Sequence, residues 1–169
     1  DLSIDDACAR KDEPLPSFKH LQSWHDYRRL NKAPEALAAT ILIASDVDYP
    51  PVPVFGIATH MGIDIKVQGS KGWAAGRIIH RDQARIYSTP HKDASLRRWA
   101  FALALGDLLL RPENGPSFVK PSRLHELEAP SARFASALLI PIKWVGDTFT
   151  PSAASQIERR FEVPAHVIS

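Results

Sequence analysis

The stretch RRWAFALALGDLLLR, residues Arg97–Arg111, decides the fold of this chain. Large apolar side chains occur on every side of a helix drawn through it, and alanines fill the gaps between them. A helix that is apolar all round is buried, so the pattern predicts a core helix over residues 94–111 that a proline stops. Gly106 costs such a helix about 1 kcal/mol relative to alanine, which indicates that another element approaches closely there. Asp107, the only charge between Arg98 and Arg111, is expected to face solvent or a polar pocket at the edge of the helix.

The composition is that of one globular domain. The chain has 169 residues, 44% of them hydrophobic and 24% charged, which is enough to bury a real core. A net charge of +2 is too small to argue for nucleic-acid binding by itself. The single Cys8 cannot form an internal disulfide, which favours a reducing, cytoplasmic location. No apolar run approaches the roughly 20 residues of a membrane span.

The rest of the chain predicts an α+β fold. The order of elements is helices, a strand patch, and helices again, and this order predicts a small, mostly antiparallel three-stranded sheet packed by helices. Residues 1–16 are expected to be a flexible N-terminal arm, and residues 17–169 a single domain. The predicted helices cover residues 17–31, 34–44, 54–61, 94–111, 131–139 and 151–161, with a short last one over 164–168. The predicted strands are 63–67, 76–80 and 84–87, with a connection at 81–83 and an irregular stretch at 112–126.

Five short motifs follow one another between residues 51 and 163. They are a helix-to-strand segment (Val52–Ile65), a hairpin (Gly76–Tyr87), the central helix (Arg97–Leu110), FASALLIP (Phe134–Pro141) and IERRFEV (Ile157–Val163). In this order and at this spacing they resemble the ImmA/IrrE family of zinc metallopeptidase-like proteins, whose central helix reads RRFTLAHELGHLLL. The resemblance implies a zincin-like metallopeptidase fold.

The positions that carry the family's chemistry are altered here. A zinc peptidase of this type needs two histidines one helical turn apart and a glutamate that activates the metal-bound water. By the resemblance, the first histidine position is Leu103, the glutamate position is Ala104 and the second histidine position is Asp107. The third ligand, a glutamate in the family, corresponds to Pro130. Leucine, alanine and proline side chains cannot ligate a metal, so we expect a pseudoenzyme with no catalytic residues, no metal and no cofactor.

The resemblance also suggests a function. ImmA/IrrE-like proteins act in bacterial or mobile-element circuits on helix-turn-helix repressors, usually by cleaving them. A member without its catalytic residues is expected to keep the groove, and so to serve as a protein-binding or regulatory module in transcriptional control. A helix-turn-helix repressor is then the expected partner. Two alternatives stay open: a metallopeptidase that uses Asp107 with nearby His or Glu ligands, and a structural subunit of a phage-like assembly.

Three further features bear on binding. Trp73 lies in a glycine-containing loop, where an aromatic ring either folds onto the core or anchors an interface. His80 lies at a hairpin tip, and with His91 and His125 it is a candidate for a relocated metal site. Pairs of basic residues such as Arg28-Arg29 are either solvated helix faces or a surface for DNA or an acidic partner. The candidate binding residues are therefore Trp73, His80 and Asp107, and nucleic-acid binding is left open.

Overall fold

The computed structural model describes residues 23–111, 113–146 and 153–168, and the predicted N-terminal arm lies outside these ranges. The described residues form seven α-helices and four strands. The helices are α1 (Trp24–Arg29), α2 (Pro34–Ala44), α3 (Val54–His60), α4 (Ala94–Leu110), α5 (Pro130–Leu139), α6 (Ile142–Val145) and α7 (Ala154–Phe161). The strands are β1 (Ile63–Val67), β2 (Ala75–His80), β3 (Gln83–Ser88) and β4 (Ser117–Val119), and two 3-10 helices cover Pro121–His125 and Ala165–Val167.

The α+β class is confirmed, but the prediction of three strands is wrong. The sheet has four strands in the order β1-β3-β2-β4. It is mixed, because β1 runs parallel to β3 whereas β2 is antiparallel to both β3 and β4. The fourth strand, Ser117–Val119, lies in the stretch predicted to be irregular. Three residues are too few to show an alternating pattern, so the sequence offered no periodic signal for it.

The β2–β3 hairpin is tighter than predicted. Only Arg81 and Asp82 separate the two strands, since His80 pairs with Gln83. Both turn residues have positive φ, at 48° and 61°. Two such residues in succession give the turn that matches the twist of a hairpin.

The first described helix begins later than predicted. Ser23 is extended and α1 starts at Trp24, so a helix running unbroken from Ser17 through this position is wrong. The carboxylate of Asp26 accepts hydrogen bonds from the backbone N–H and the hydroxyl of Ser23, at 3.2 and 3.0 Å. This local bonding favours a helix start over helix continuation.

Helix α4 is the centre of the molecule, as its composition predicts. Eleven of its 17 residues are buried. It packs between α5 and the sheet. A Cβ atom added to Gly106 would lie 2.7 Å from Cδ1 of Phe134 and 3.1 Å from the carbonyl oxygen of Ser131. The predicted close approach at Gly106 is therefore confirmed, and the approaching element is α5.

The two faces of the sheet differ. Ala75, Arg77 and Ile79 of β2 are buried on the face toward α4, whereas His80 is exposed. On the opposite face, the ring of Phe118 lies beside Gly76 and contacts the ring of Trp73. No helix within the described ranges is long and apolar enough to cross a membrane.

Candidate functional site

A groove with a volume of about 300 Å³ opens between α4, β4 and the start of α5. Helix α4 contributes Leu103 and Asp107, the strand contributes Ser117–Val119, and the N-terminus of α5 contributes Pro130. We call this recess the Asp107 groove. It exists because Gly106 lets α5 approach α4 closely on one side, while β4 borders the other.

Three of the four positions where the resemblance places lost catalytic residues line the Asp107 groove. Leu103 and Asp107 lie one helical turn apart on the same face of α4, and Pro130 reaches the groove from a different helix. Ala104, the fourth position, is fully buried and does not line the groove. Residues that are distant in sequence thus share one recess.

The carboxylate of Asp107 is already bound by two arginines. Its Oδ2 accepts a hydrogen bond from Nε of Arg77 at 2.9 Å, and its Oδ1 accepts one from Nη1 of Arg111 at 3.1 Å. The Arg77 side chain is 1% exposed and that of Asp107 is 13% exposed. Asp107 is therefore the counter-ion of a buried guanidinium, which would otherwise be very costly to bury.

Arg77 and a further arginine, Arg28, hold the chain that follows α4. Arg77 also donates to the carbonyls of Glu113 and Gly115. Arg28 of α1 donates to the carbonyl of Arg111 at 2.8 Å and to Oδ1 of Asn114 at 2.9 Å. These bonds fix the segment between α4 and β4, and with it one wall of the groove.

Two pKa shifts follow from this network. The hydrogen bond to Asp107 raises the pKa of Arg111. Burial lowers the pKa of Arg28, and repulsion from Arg77 lowers it further. Both guanidinium groups stay protonated at neutral pH, because an arginine titrates far above this range. Arg111, which lines the groove, therefore keeps its positive charge beside the Asp107 carboxylate.

The structure separates the histidines that the sequence suggested as a relocated metal site. His80 is exposed at the end of β2, Nδ1 of His91 accepts from the backbone N–H of Asp93, and the ring of His125 lies 4.3 Å from that of His166. Within the described ranges, no group of three or more His, Cys, Asp or Glu side chains could hold a metal ion. Neither His80 nor its suggested partners lines the Asp107 groove.

Trp73 packs on the protein itself. Its side chain is half-buried, and its ring centroid lies 5.3 Å from that of Phe118 and 6.2 Å from that of Tyr87. Of the two interpretations that the sequence left open, this packing favours a ring folded onto the sheet. Trp73 does not line the Asp107 groove, although its ring contacts Phe118, which is one of the lining residues.

Arg77 is the residue of this site that the sequence analysis missed. The signal was present, because Arg77 lies between Ala75 and Ile79 on the face of β2 expected to be buried. A lone cation on the buried face of a strand and a lone carboxylate in a core helix each need a partner. The sequence therefore contained two unmatched opposite charges, and the structure pairs them.

Comparison with known proteins does not identify a family. No family model matches the chain, and no curated protein is significantly similar to it. The resemblance to ImmA/IrrE proteins therefore stays a prediction that depends on the five motifs.

Proposed function

We propose that this chain is a catalytically inactive, zincin-like relative of the ImmA/IrrE metallopeptidases that binds an extended segment of a partner protein in the Asp107 groove. The observation that carries the proposal is the convergence of Leu103, Asp107 and Pro130 beside strand β4. A metallopeptidase cleft would bring the corresponding positions together in this way.

The side chains of the groove argue against metal chemistry. Leu103 and Pro130 have no atom that can ligate a metal. Both oxygens of Asp107 accept hydrogen bonds from guanidinium groups. A divalent cation at this carboxylate would lie within a few ångströms of Arg77 and would be repelled by it. These contacts also weigh against a metallopeptidase with non-standard ligands, since that alternative requires Asp107 as a ligand.

Strand β4 is suited to hold a peptide. It is the edge strand of the sheet, and no other described strand pairs with its outer side. An exposed edge offers backbone donors and acceptors to an added strand, and neighbouring recesses then select its side chains. Leu103 and Leu110 give the groove an apolar floor, while Arg123 and Glu126 provide polar groups.

A helix-turn-helix repressor is the partner that the resemblance favours, and cytoplasmic transcriptional control is the matching role. A repressor linker or tail provides an extended segment of the required kind. The alternative of a structural subunit in a phage-like assembly was based on the N-terminal arm, which lies outside the described residues. The groove therefore supports the binding module over that alternative.

Selection of random dodecapeptides on the immobilised protein tests the proposal. We expect wild type to enrich a peptide family, and Pro130→Arg to bind those peptides at least about tenfold more weakly, because an arginine there would fill the groove. Pro130 is exposed at the first turn of α5, where proline is replaceable. Pro34→Arg, at the same position of α2 and away from the groove, is the matched control. Failure of wild type to enrich any peptide, or equal binding by Pro130→Arg, would refute the proposal.

A further inference from the structure

A second recess, of about 400 Å³, lies at the N-terminal end of α4. Its lining includes Ser70, Lys71 and Trp73 from the loop before β2, His91 from the loop before α4, and Arg97 from the first turn of α4. None of the described residues that line it is acidic. We call this recess the Arg97 pocket.

The side chains of His91 and Arg97 bring hydrogen-bond donors to the Arg97 pocket. Nδ1 of His91 accepts from the backbone N–H of Asp93 at 3.0 Å, which leaves the proton of the neutral ring on Nε2. Nη1 of Arg97 donates to the carbonyl of His91 at 3.3 Å. Nε of Arg97 is buried and has no acceptor within the described part of the chain. A buried donor without an acceptor is costly, so Arg97 is short of a hydrogen-bond acceptor.

The positive character of the pocket comes from side chains and not from the end of α4. The carboxylate of Asp93 already accepts from the backbone N–H groups of Ser95 and Leu96, at 2.9 and 3.2 Å. Lys71 and Arg97 are left as two cations in one recess. Two cations with no lining carboxylate attract an anion.

The Arg97 pocket and the Asp107 groove lie along the same side of α4. Leu96 and Ala100 line the pocket, and Leu103 and Asp107 continue the same helical stripe into the groove. The two recesses also share the 3-10 helix Pro121–His125, which the indole of Trp99 holds by donating to the Leu124 carbonyl at 2.9 Å.

The spacing between the recesses suits an extended peptide. Arg97 and Asp107 are ten residues apart on a helix, which corresponds to about 15 Å at a rise of 1.5 Å per residue. An extended chain covers about 15 Å in four or five residues. One peptide could therefore occupy both recesses.

We propose that the Arg97 pocket binds a carboxylate of the segment that occupies the Asp107 groove, four or five residues along from the residue at Asp107. This inference rests on the proposed function. The carboxylate belongs to an aspartate or glutamate side chain or to the C-terminus of the partner segment. The pocket thus makes the module selective for acidic segments.

The peptide selection described above tests the inference when it is repeated on Lys71→Gln/Arg97→Gln. We expect wild type to prefer peptides with an acidic group at a fixed position. Replacing that acidic group by a neutral one should weaken binding about tenfold or more. The double variant should keep peptide binding and lose the acidic preference. Lys66→Gln/Arg159→Gln removes the same charges from exposed positions outside both recesses and should keep the acidic preference. Lys71→Gln alone, at an exposed residue, covers the case in which the Arg97 change impairs folding.

The outcomes separate the two proposals. Peptide binding without an acidic preference, or a preference that survives in the folded double variant, would overturn the assignment of the pocket while the binding function stands. If wild type binds no peptide, both the proposed function and the assignment of the pocket are refuted. Peptides with neutral side chains and a free C-terminus are compared with their C-terminally amidated forms. This comparison shows whether the bound carboxylate belongs to a side chain or to the C-terminus. Tighter binding of a random-sequence oligonucleotide, lost in the double variant, would overturn the assignment in favour of phosphate.

Discussion

Asp107 is held by two arginines of very different burial. Arg77 is 1% exposed and Arg111 is 47% exposed. An exposed ion pair contributes little, because water screens it. The pair with Arg77 therefore dominates, since loss of the carboxylate would leave a buried guanidinium without its counter-ion.

Asp107→Asn is expected to lower the free energy of unfolding by about 3 kcal/mol, because it removes that counter-ion. Asp64→Asn is the matched control, since it removes the partner of Arg85 in a pair whose side chains are 41% and 52% exposed. The control should change stability by less than about 1 kcal/mol. Urea unfolding measures both, and equal losses would show that Asp107 does not serve as a counter-ion.

For single residues, the sequence shows that a buried charge requires a partner more readily than it shows which residue that partner is. The polar surroundings of Asp107 were expected, because a carboxylate in an apolar helix is costly to bury. Its partner was not predicted, because pairing with Arg77 depends on where β2 lies against α4. A spatial relation between a strand and a helix of this kind leaves no periodic pattern in either segment.

The packing of α4 on α5 depends on the absence of a side chain at Gly106. In an open helix, alanine would be more stable than glycine by about 1 kcal/mol. Here the added Cβ would meet the Phe134 ring and the backbone of Ser131. The backbone contact cannot be relieved by a change of rotamer, so the two helices would have to separate.

Gly106→Ala is therefore expected to lower the free energy of unfolding by about 1–3 kcal/mol, despite the higher helix propensity of alanine. Gly56→Ala in α3 provides the comparison, since a Cβ there would meet no atom within 4 Å. This control should stabilise the protein slightly or leave it unchanged. Thermal or urea unfolding of the pair decides, and a stabilising Gly106→Ala would contradict the close packing of α4 on α5.

Elements with long, regular patterns were predicted well, and short ones were not. Helices α2, α3 and α4 and strand β1 fall where apolar periodicity and terminal prolines or glycines place them. The three-residue β4 and the four-residue α6 were missed. Such short elements form through tertiary contacts rather than local pattern, and β4 also forms a wall of the groove.

At the scale of the whole molecule, the Asp107 groove and the Arg97 pocket both lie on one side of the buried helix α4. The Asp107 groove contains a carboxylate neutralised by arginines, and the Arg97 pocket contains cations without a lining carboxylate. The motifs directed attention to Leu103 and Asp107 of α4, and both of these residues line the Asp107 groove. They could not predict the pocket, because its residues come from loops on both sides of the β2–β3 hairpin.

The proposed function holds that the Asp107 groove is a metallopeptidase cleft whose metal site has been lost. If so, Leu103→His, Asp107→His and Pro130→Glu together, with Arg77→Leu to remove the cation that would repel a metal, would restore a three-ligand set in the groove. Leu103→Asn, Asp107→Asn and Pro130→Gln, also with Arg77→Leu, is the control of similar size and polarity. Replacing Asp107 and Arg77 together removes both partners of the buried ion pair, so that neither charge is left buried alone.

Zinc content, measured by elemental analysis after equilibration with zinc and removal of the excess, is the most direct test of this claim. We predict no stoichiometric zinc in wild type or in the Asn/Gln control, and about one zinc ion per chain in the His/Glu variant. One zinc ion per wild-type chain, or a folded His/Glu variant that holds none, would contradict the claim.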